Sequence, residues 1–312
     1  MDIGAAFWVQ RSSWADLREA VLAAETAGFS SVWIDDHLLC DEGDPRDPKF
    51  EGWTVAAAVA AITSKVRLGH LVGANTFRNP GLTAKTATTL DHVSGGRFTL
   101  GIGGGWFEEE HRAFGFEFGA SAGERLDRLD EAVSLIRRLV DGENVTHEGR
   151  FYRFDEAVCE PRPVQQPLPI LIGGSGRTKT LRTVARYADV WNGYGEPARI
   201  REVMGWLGEH CESIGRPIEE IRRTVAMDVV IRDTVEEALE AYRRIERTHF
   251  LRPGQTQSND PDQVLNVGGP PELVAEYVSG FRDVGVDEVM WILRSPWDPE
   301  TVHRVGEVRS LI

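Results

Sequence analysis

What most constrains the fold of this chain is an alternation that runs from end to end: a short apolar stretch followed by a helical one, eight times. Residues 3–9 read as the first strand. Residues 14–27 read as the helix behind it, with Leu17, Val21, Ala24 and Gly28 on one face and Gly28 ending it. Further strands are expected at 32–34, 66–72, 97–102, 170–172, 189–192, 224–231 and 288–293, each followed by a helix. Short apolar strands joined by helical crossovers must run parallel. Eight such units closing on themselves make an α/β fold, the (β/α)8 TIM barrel, as a single domain over residues 1–312. The open doubly wound sheet is the competing arrangement. The regularity loosens at 103–120 and 251–269, which read as insertions after strands 4 and 7, and at 145–163, a small hairpin with Phe151 and Phe154 near its centre. Ser121 with Glu124, and Thr234 with Glu237, carry the capping-box spacing.

Composition narrows the class. Of the 312 residues, 41% are hydrophobic and 27% charged, an ordinary globular balance. A formal net charge of -14 argues against nucleic acid or an anionic membrane as partner. No apolar run is long enough to span a bilayer, and the N-terminus has no basic-then-apolar leader. Cys40, Cys159 and Cys211 are scattered, with neither metal-ligand spacing nor a disulfide framework. A cytoplasmic protein without a metal is the simple reading.

Barrel enzymes place their chemistry at the carboxyl ends of the strands. In order, those ends carry Gln10, Asp36-His37, Gly73-Ala74-Asn75, Gly103-Gly104-Gly105-Trp106, Gly173-Gly174-Ser175-Gly176, Asn192-Gly193-Tyr194, Asp233 and Arg294. The set holds one good proton carrier, His37, a carboxylate beside it, and many glycines, which let a backbone approach a ligand closely. A planar ligand over glycine-rich backbone, with His37 at its reacting edge, suits that mixture. Gly173–Gly176 is the strongest cofactor signal, because it follows a strand and opens a helix expected at 178–187, with Arg177 and Lys179 close by. A tight turn with no ligand explains it too, just as a structural hydrogen-bonded pair explains Asp36-His37. Residues 101–105 lack the dinucleotide-binding spacing. Glu108-Glu109-Glu110 reads as a solvated face, and His111 as a surface residue or part of the site rim. Trp53 and Trp106 either wall a pocket or fill the barrel top.

Several segments carry a family likeness: Ala27-Gly28-Phe29 leading to Trp33-Ile34-Asp35-Asp36-His37, residues 66–72, Phe77-Arg78-Asn79-Pro80, Ser94-Gly95-Gly96-Arg97-Phe98 with 101–111, residues 160–165, and 172–176 with 185–189. Over nearly its whole length the chain resembles the luciferase-like monooxygenase superfamily, and within it the oxidoreductases that use the deazaflavin coenzyme F420. The resemblance implies that Asp36 and His37 face the reactive ring, with His37 exchanging the proton. It implies a non-prolyl cis peptide at Leu71-Val72 against the ring's back face, with Gly73, Ala74 and Asn75 continuing that contact. It also implies a cofactor phosphate at Gly173, Gly174, Ser175 and Gly176, and a homodimer.

The departures bear on the substrate. Relatives acting on sugar phosphates or simple alcohols carry Trp where this chain has Asp41, and Glu where it has Gln10 and Gly104. Asp41, Glu51 and His111 are candidates for the missing acid, and Gln10, Asp41, Trp53, Trp106 and His111 for the substrate pocket. The expected function is hydride transfer between coenzyme F420 and a small organic substrate, with His37 relaying the proton. One alternative is a two-component monooxygenase using reduced FMN, oxygen and a separate reductase. The other is a non-catalytic flavin-binding barrel.

Overall fold

The computed structural model describes residues 1–249 and 265–312. In chain order the elements are β1 (Asp2–Trp8), α1 (Trp14–Ala27), β2 (Ser31–Ile34), α2 (Gly52–Ile62), β3 (Arg67–His70), β4 (Gly73–Ala74), α3 (Pro80–Ser94), β5 (Phe98–Gly103), α4 (Glu108–Phe114) and α5 (Ala122–Val140). They continue with β6 (Val145–Glu148), β7 (Arg153–Ala157), β8 (Ile170–Gly173), α6 (Thr180–Tyr187), β9 (Val190–Tyr194), α7 (Pro197–Ser213), β10 (Arg222–Ile231), α8 (Val235–His249), β11 (Val267–Gly269), α9 (Pro271–Asp283), β12 (Glu288–Arg294), α10 (Pro299–His303) and α11 (Val305–Arg309). The fold is the (β/α)8 barrel, and its strands are β1, β2, β3, β5, β8, β9, β10 and β12.

The chain divides into two compact units, each assembled from separate stretches. The first comprises residues 1–55, 193–201 and 223–312. Here β1 lies parallel between β12, in register from Asp2↔Glu288 to Trp8↔Arg294, and β2, from Gly4↔Ser31 to Phe7↔Ile34. β10 pairs with the other edge of β12, and β11 with β10. Trp33 donates its indole N–H to Ser31 Oγ at 2.7 Å, and Ser31 Oγ in turn bonds the buried Glu288 carboxylate. Gly4 leaves the room that this buried chain needs, since a Cβ there would strike Ser31 Oγ.

The second unit comprises residues 56–192 and 202–222. It carries the parallel run β3-β5-β8-β9, with β4 laid on the end of β5 at Gly73↔Ile102 and Ala74↔Gly103. Arg97 binds the carbonyls of Ala60, Thr63 and Val66 at 2.7–3.0 Å, which satisfies acceptors that the end of α2 leaves open. The hairpin expected at 145–163 is the antiparallel pair β6–β7.

Helix boundaries follow local chemistry. Ser13 accepts from Asp16 N at 3.1 Å to start α1, and Gly28, at φ +93°, ends it. Thr234 and Glu237 form the reciprocal capping box at the start of α8, both bonds 3.2 Å long.

Four expectations change. The third strand is not continuous over 66–72: it stops at His70 and resumes as β4. The stretch 103–120 is not all loop, because α4 forms within it, and Glu110 is buried rather than solvated. The helix after Gly176 starts at Thr180, two residues later than expected. Residues 267–269 are strand, not loop, whereas 251–264 of that expected insertion lie outside the described residues.

Candidate active site

The first unit concentrates charge at the carboxyl ends of β1, β2, β10 and β12. β2 ends in Asp35, whose Oδ1 accepts the Val9 amide at 2.9 Å. Its other oxygen pairs with Lys49, and both side chains are 1% exposed. Lys49 also donates to Asp41 Oδ1 at 3.1 Å and lies 3.5 Å from Gln10 Oε1. The other oxygen of Asp41 stands 3.7 Å from His37 Nε2. A row of alternating charge thus runs from His37 through Asp41 and Lys49 to Asp35. Burial pushes the Asp35 carboxyl up against the pull of Lys49. Burial acts on Asp41 too, but the charges of His37 and Lys49 together outweigh it and hold that carboxyl below the usual range. Lys49 itself resists the effect of burial because two carboxylates hold its proton.

Asp36 is buried and accepts from Trp53 Nε1 at 3.2 Å. Glu51 caps α2 by accepting from Trp53 N and Thr54 N at 3.2 and 2.7 Å, so this candidate acid serves a helix end. Gly52 is required there, because a side chain would collide with the Asp35 carbonyl. A second charged group is built on Arg294, which forks onto Glu42 at 2.7 and 2.8 Å and also pairs with Asp228. Burial is the main influence raising Glu42 and Asp228, with Arg294 opposing it. Arg11, at φ 51°, binds Asp47 at 2.6 Å. The loop after β2 is therefore fastened to the strand ends by the ion pairs Lys49–Asp35, Arg294–Glu42 and Arg11–Asp47.

In the second unit the Leu71-Val72 peptide is cis. Val72 packs against two strand ends: a Cβ on Gly103 would meet its Cγ2 at 2.8 Å, and one on Gly173 its Cγ1 at 3.0 Å. A Cβ on Gly101 would collide with the His70 carbonyl. These glycines serve close backbone packing. Asn75 is buried and donates to the Tyr152 hydroxyl at 3.2 Å, while Ala74 is half-buried. Gly104 packs against Leu126. Trp106 is 63% exposed and stacks on Phe107. His111 is not a surface residue. It is fully buried, bonded to Phe107 O at 2.7 Å and Thr76 Oγ1 at 2.6 Å. The carbonyl only accepts, so Nδ1 carries the proton.

At Gly173–Gly176 one amide is already used: Gly174 N, at φ +120°, donates to Asn192 O at 3.0 Å. The amides of Ser175 and Gly176 make no hydrogen bond among the described residues. Arg177 and Lys179 are paired with Glu209 and Asp127 at 3.2 and 2.6 Å. The turn therefore offers two backbone donors to an anion and little free side-chain charge.

The family profile described as luciferase-like monooxygenase matches residues 4–288. The chain belongs to this family. It is 32% identical over 306 residues to an F420-dependent glucose-6-phosphate dehydrogenase of Amycolatopsis mediterranei, covering 88% of this chain and 87% of that one. Its fold is shared with an F420-dependent secondary alcohol dehydrogenase solved with an F420-acetone adduct, at a TM-score of 0.83 and 20% identity over 100% of this chain and 99% of that one. A long-chain alkane monooxygenase shares it at 0.79 and 16%, over 100% and 91%.

Two groups of this luciferase-like chain are chemically distinct. The charged row brings together His37, Asp41 and Gln10 from the expected residues, and separately Asp36 accepts from Trp53. Leu71, Val72, Gly73, Ala74, Asn75 and Gly173–Gly176 belong to the second unit, as do Trp106 and His111. Sequence reasoning missed Lys49, Glu42 and Asp228. A signal for Asp228 existed: it is a lone carboxylate inside the apolar strand β10, which requires a buried cation, and Arg294 ends β12. Among the described residues no cluster of His, Cys, Asp and Glu is arranged to hold a metal. No described helix is long and apolar enough to cross a membrane.

Proposed function

We propose that this luciferase-like oxidoreductase passes a hydride between coenzyme F420 and a small organic substrate, with His37 moving the proton. The observation that carries the reading is the position of His37 next to Asp41 at the end of the buried row Asp41–Lys49–Asp35. Asp41 faces one ring nitrogen and steadies the imidazolium that proton uptake creates. The likeness to F420-dependent enzymes supports the choice of cofactor. Ser175 and Gly176, in the second unit, have the amides to hold a phosphate. When bound, the deazaflavin supplies a two-electron hydride carrier, which needs one proton relay and no metal.

Titration with F420 and, separately, with FMN tests the assignment. Binding of F420 with turnover that falls at least 100-fold in His37→Ala, binding retained, is the expected result. Tight FMN binding without F420 binding would refute it. The second reading, a reduced-FMN monooxygenase, draws on the likeness to the alkane monooxygenase and predicts oxygen uptake with reduced FMN. The homodimer belongs to the same proposal and is read by light scattering in solution.

A further inference from the structure

We propose that Trp191 is a positioning residue for the anion site at Gly173–Gly176, and that it acts by fixing the direction of the Ser175 amide. This deepens the proposed function and rests on it for reading the anion as the phosphate of the cofactor. All the residues concerned lie in the second unit. β8 and β9 pair in parallel, with Ile172 opposite Trp191 and Gly173 opposite Asn192. Just beyond that register β9 holds Gly174 at both ends. Asn192 O accepts the Gly174 amide at 3.0 Å, and the indole N–H of Trp191 donates to the Gly174 carbonyl at 2.8 Å. The peptide between Gly174 and Ser175 is trans and planar, so the Gly174 C=O and the Ser175 N–H form one rigid plate and point in opposite directions. Holding the carbonyl therefore aims the Ser175 amide away from the indole. The same bond polarises the plate and makes that amide a stronger donor. It is one of the two amides of the turn without a partner among the described residues.

A second feature marks the place as a site. Thr180, the first residue of α6, is 5% exposed, and its hydroxyl makes no hydrogen bond among the described residues. The hydroxyl lies beside Gly176, where a Cβ would approach it to 2.8 Å. A buried hydroxyl left open next to two open amides suits the oxygens of a phosphate. Nor does Trp191 bond to Gly174 merely because a buried indole requires an acceptor. Trp291, equally buried at 0%, has none among the described residues.

Inorganic phosphate titrated into protein isotopically labelled at serine reads the Ser175 amide directly by NMR, its signal assigned by its loss in Ser175→Ala. The expected result is a downfield shift of that signal in the parent, with phosphate affinity lower by roughly tenfold in Trp191→Phe, the size of one misdirected hydrogen bond. Circular dichroism establishes whether Trp191→Phe folds. Where it does not, replacement of Trp191 by benzothienylalanine, which keeps both rings and puts sulfur in place of the N–H, carries the test. F420 and its phosphate-free deazaflavin riboside then separate positioning from packing. Trp191→Phe is expected to weaken the first by roughly tenfold and to leave the second within about twofold. Equal losses for both would make Trp191 a packing residue only and overturn the proposal. So would an unmoved Ser175 amide in the parent, or unchanged phosphate affinity in the folded variant. Absence of F420 binding alongside the expected phosphate results would count against the proposed function and leave the positioning role standing.

Discussion

Replacing Lys49 by Met would leave Asp35 and Asp41 facing each other across a buried space with no cation between them. Removing one partner of a buried ion pair costs about 3–5 kcal/mol, because the remaining charge is stranded. Lys49 serves two carboxylates and its side chain is 1% exposed, so the upper part of that range, about 4–5 kcal/mol, applies. At roughly 2 °C per kcal/mol for a large domain, the melting temperature falls by about 8–10 °C. The loss depends on pH in a definite direction. Asp35 is already raised in the folded protein, so the fold holds that proton more tightly than the unfolded chain does. Such a group favours folding most below its unfolded value and loses that contribution as pH rises through its folded value. Without Lys49 its pKa climbs further, so the penalty is full at pH 8 and smaller at pH 5. Urea unfolding followed by circular dichroism at both values measures it, and Asp35→Asn combined with Lys49→Met should recover part of the loss. A penalty below about 1 kcal/mol at pH 8, or one that grows toward acid, would refute the reasoning.

Gly101→Ala should destabilise by about 3 kcal/mol or prevent soluble expression, because its methyl group strikes the fixed His70 carbonyl; a normal melting curve would contradict this. Trp53→Phe removes a donor from the buried Asp36 carboxylate and should cost about 1–3 kcal/mol in chemical denaturation, with Trp53→His as the variant that restores a donor. Burial pushes the Cys40 thiol up to about 11, so iodoacetamide at pH 8 should leave Cys40 unlabelled in the native protein and label it in urea, as read by mass spectrometry.

The barrel was legible because its signal repeats: eight apolar runs with helices between them survive an error in any one. Boundaries were less legible where the backbone departs from regular geometry. Residues 66–72 read as one strand because Val66, Leu68, Leu71 and Val72 make the stretch largely apolar, and that pattern carries no mark of the break at Leu71-Val72. Within the site, Asp36 and His37 stood out because charge at a strand end is conspicuous. Lys49 did not, since a lysine in a loop rich in Pro and Asp looks solvated. Only the folding of that loop against Val9 and Gln10 encloses it. His111 was misplaced for a related reason. Its helix begins with three glutamates, but a short helix buries one face, and Glu110 and His111 fall on it.

The packing of Val72 between Gly103 and Gly173 ties three distant positions into one unit of inheritance. A methyl group on Gly103 strikes Val72 and one on Gly173 presses tightly against it, and shortening Val72 alone opens a hole between two bare strand ends. A survey that changes one position at a time would find each of the three costly to change. Changed together, with Val72→Gly accompanied by Gly103→Ala and Gly173→Ala, they refill most of the same volume from the opposite side. The three residues should therefore drift as a set, and redesign of this wall of the barrel should treat them as a single site.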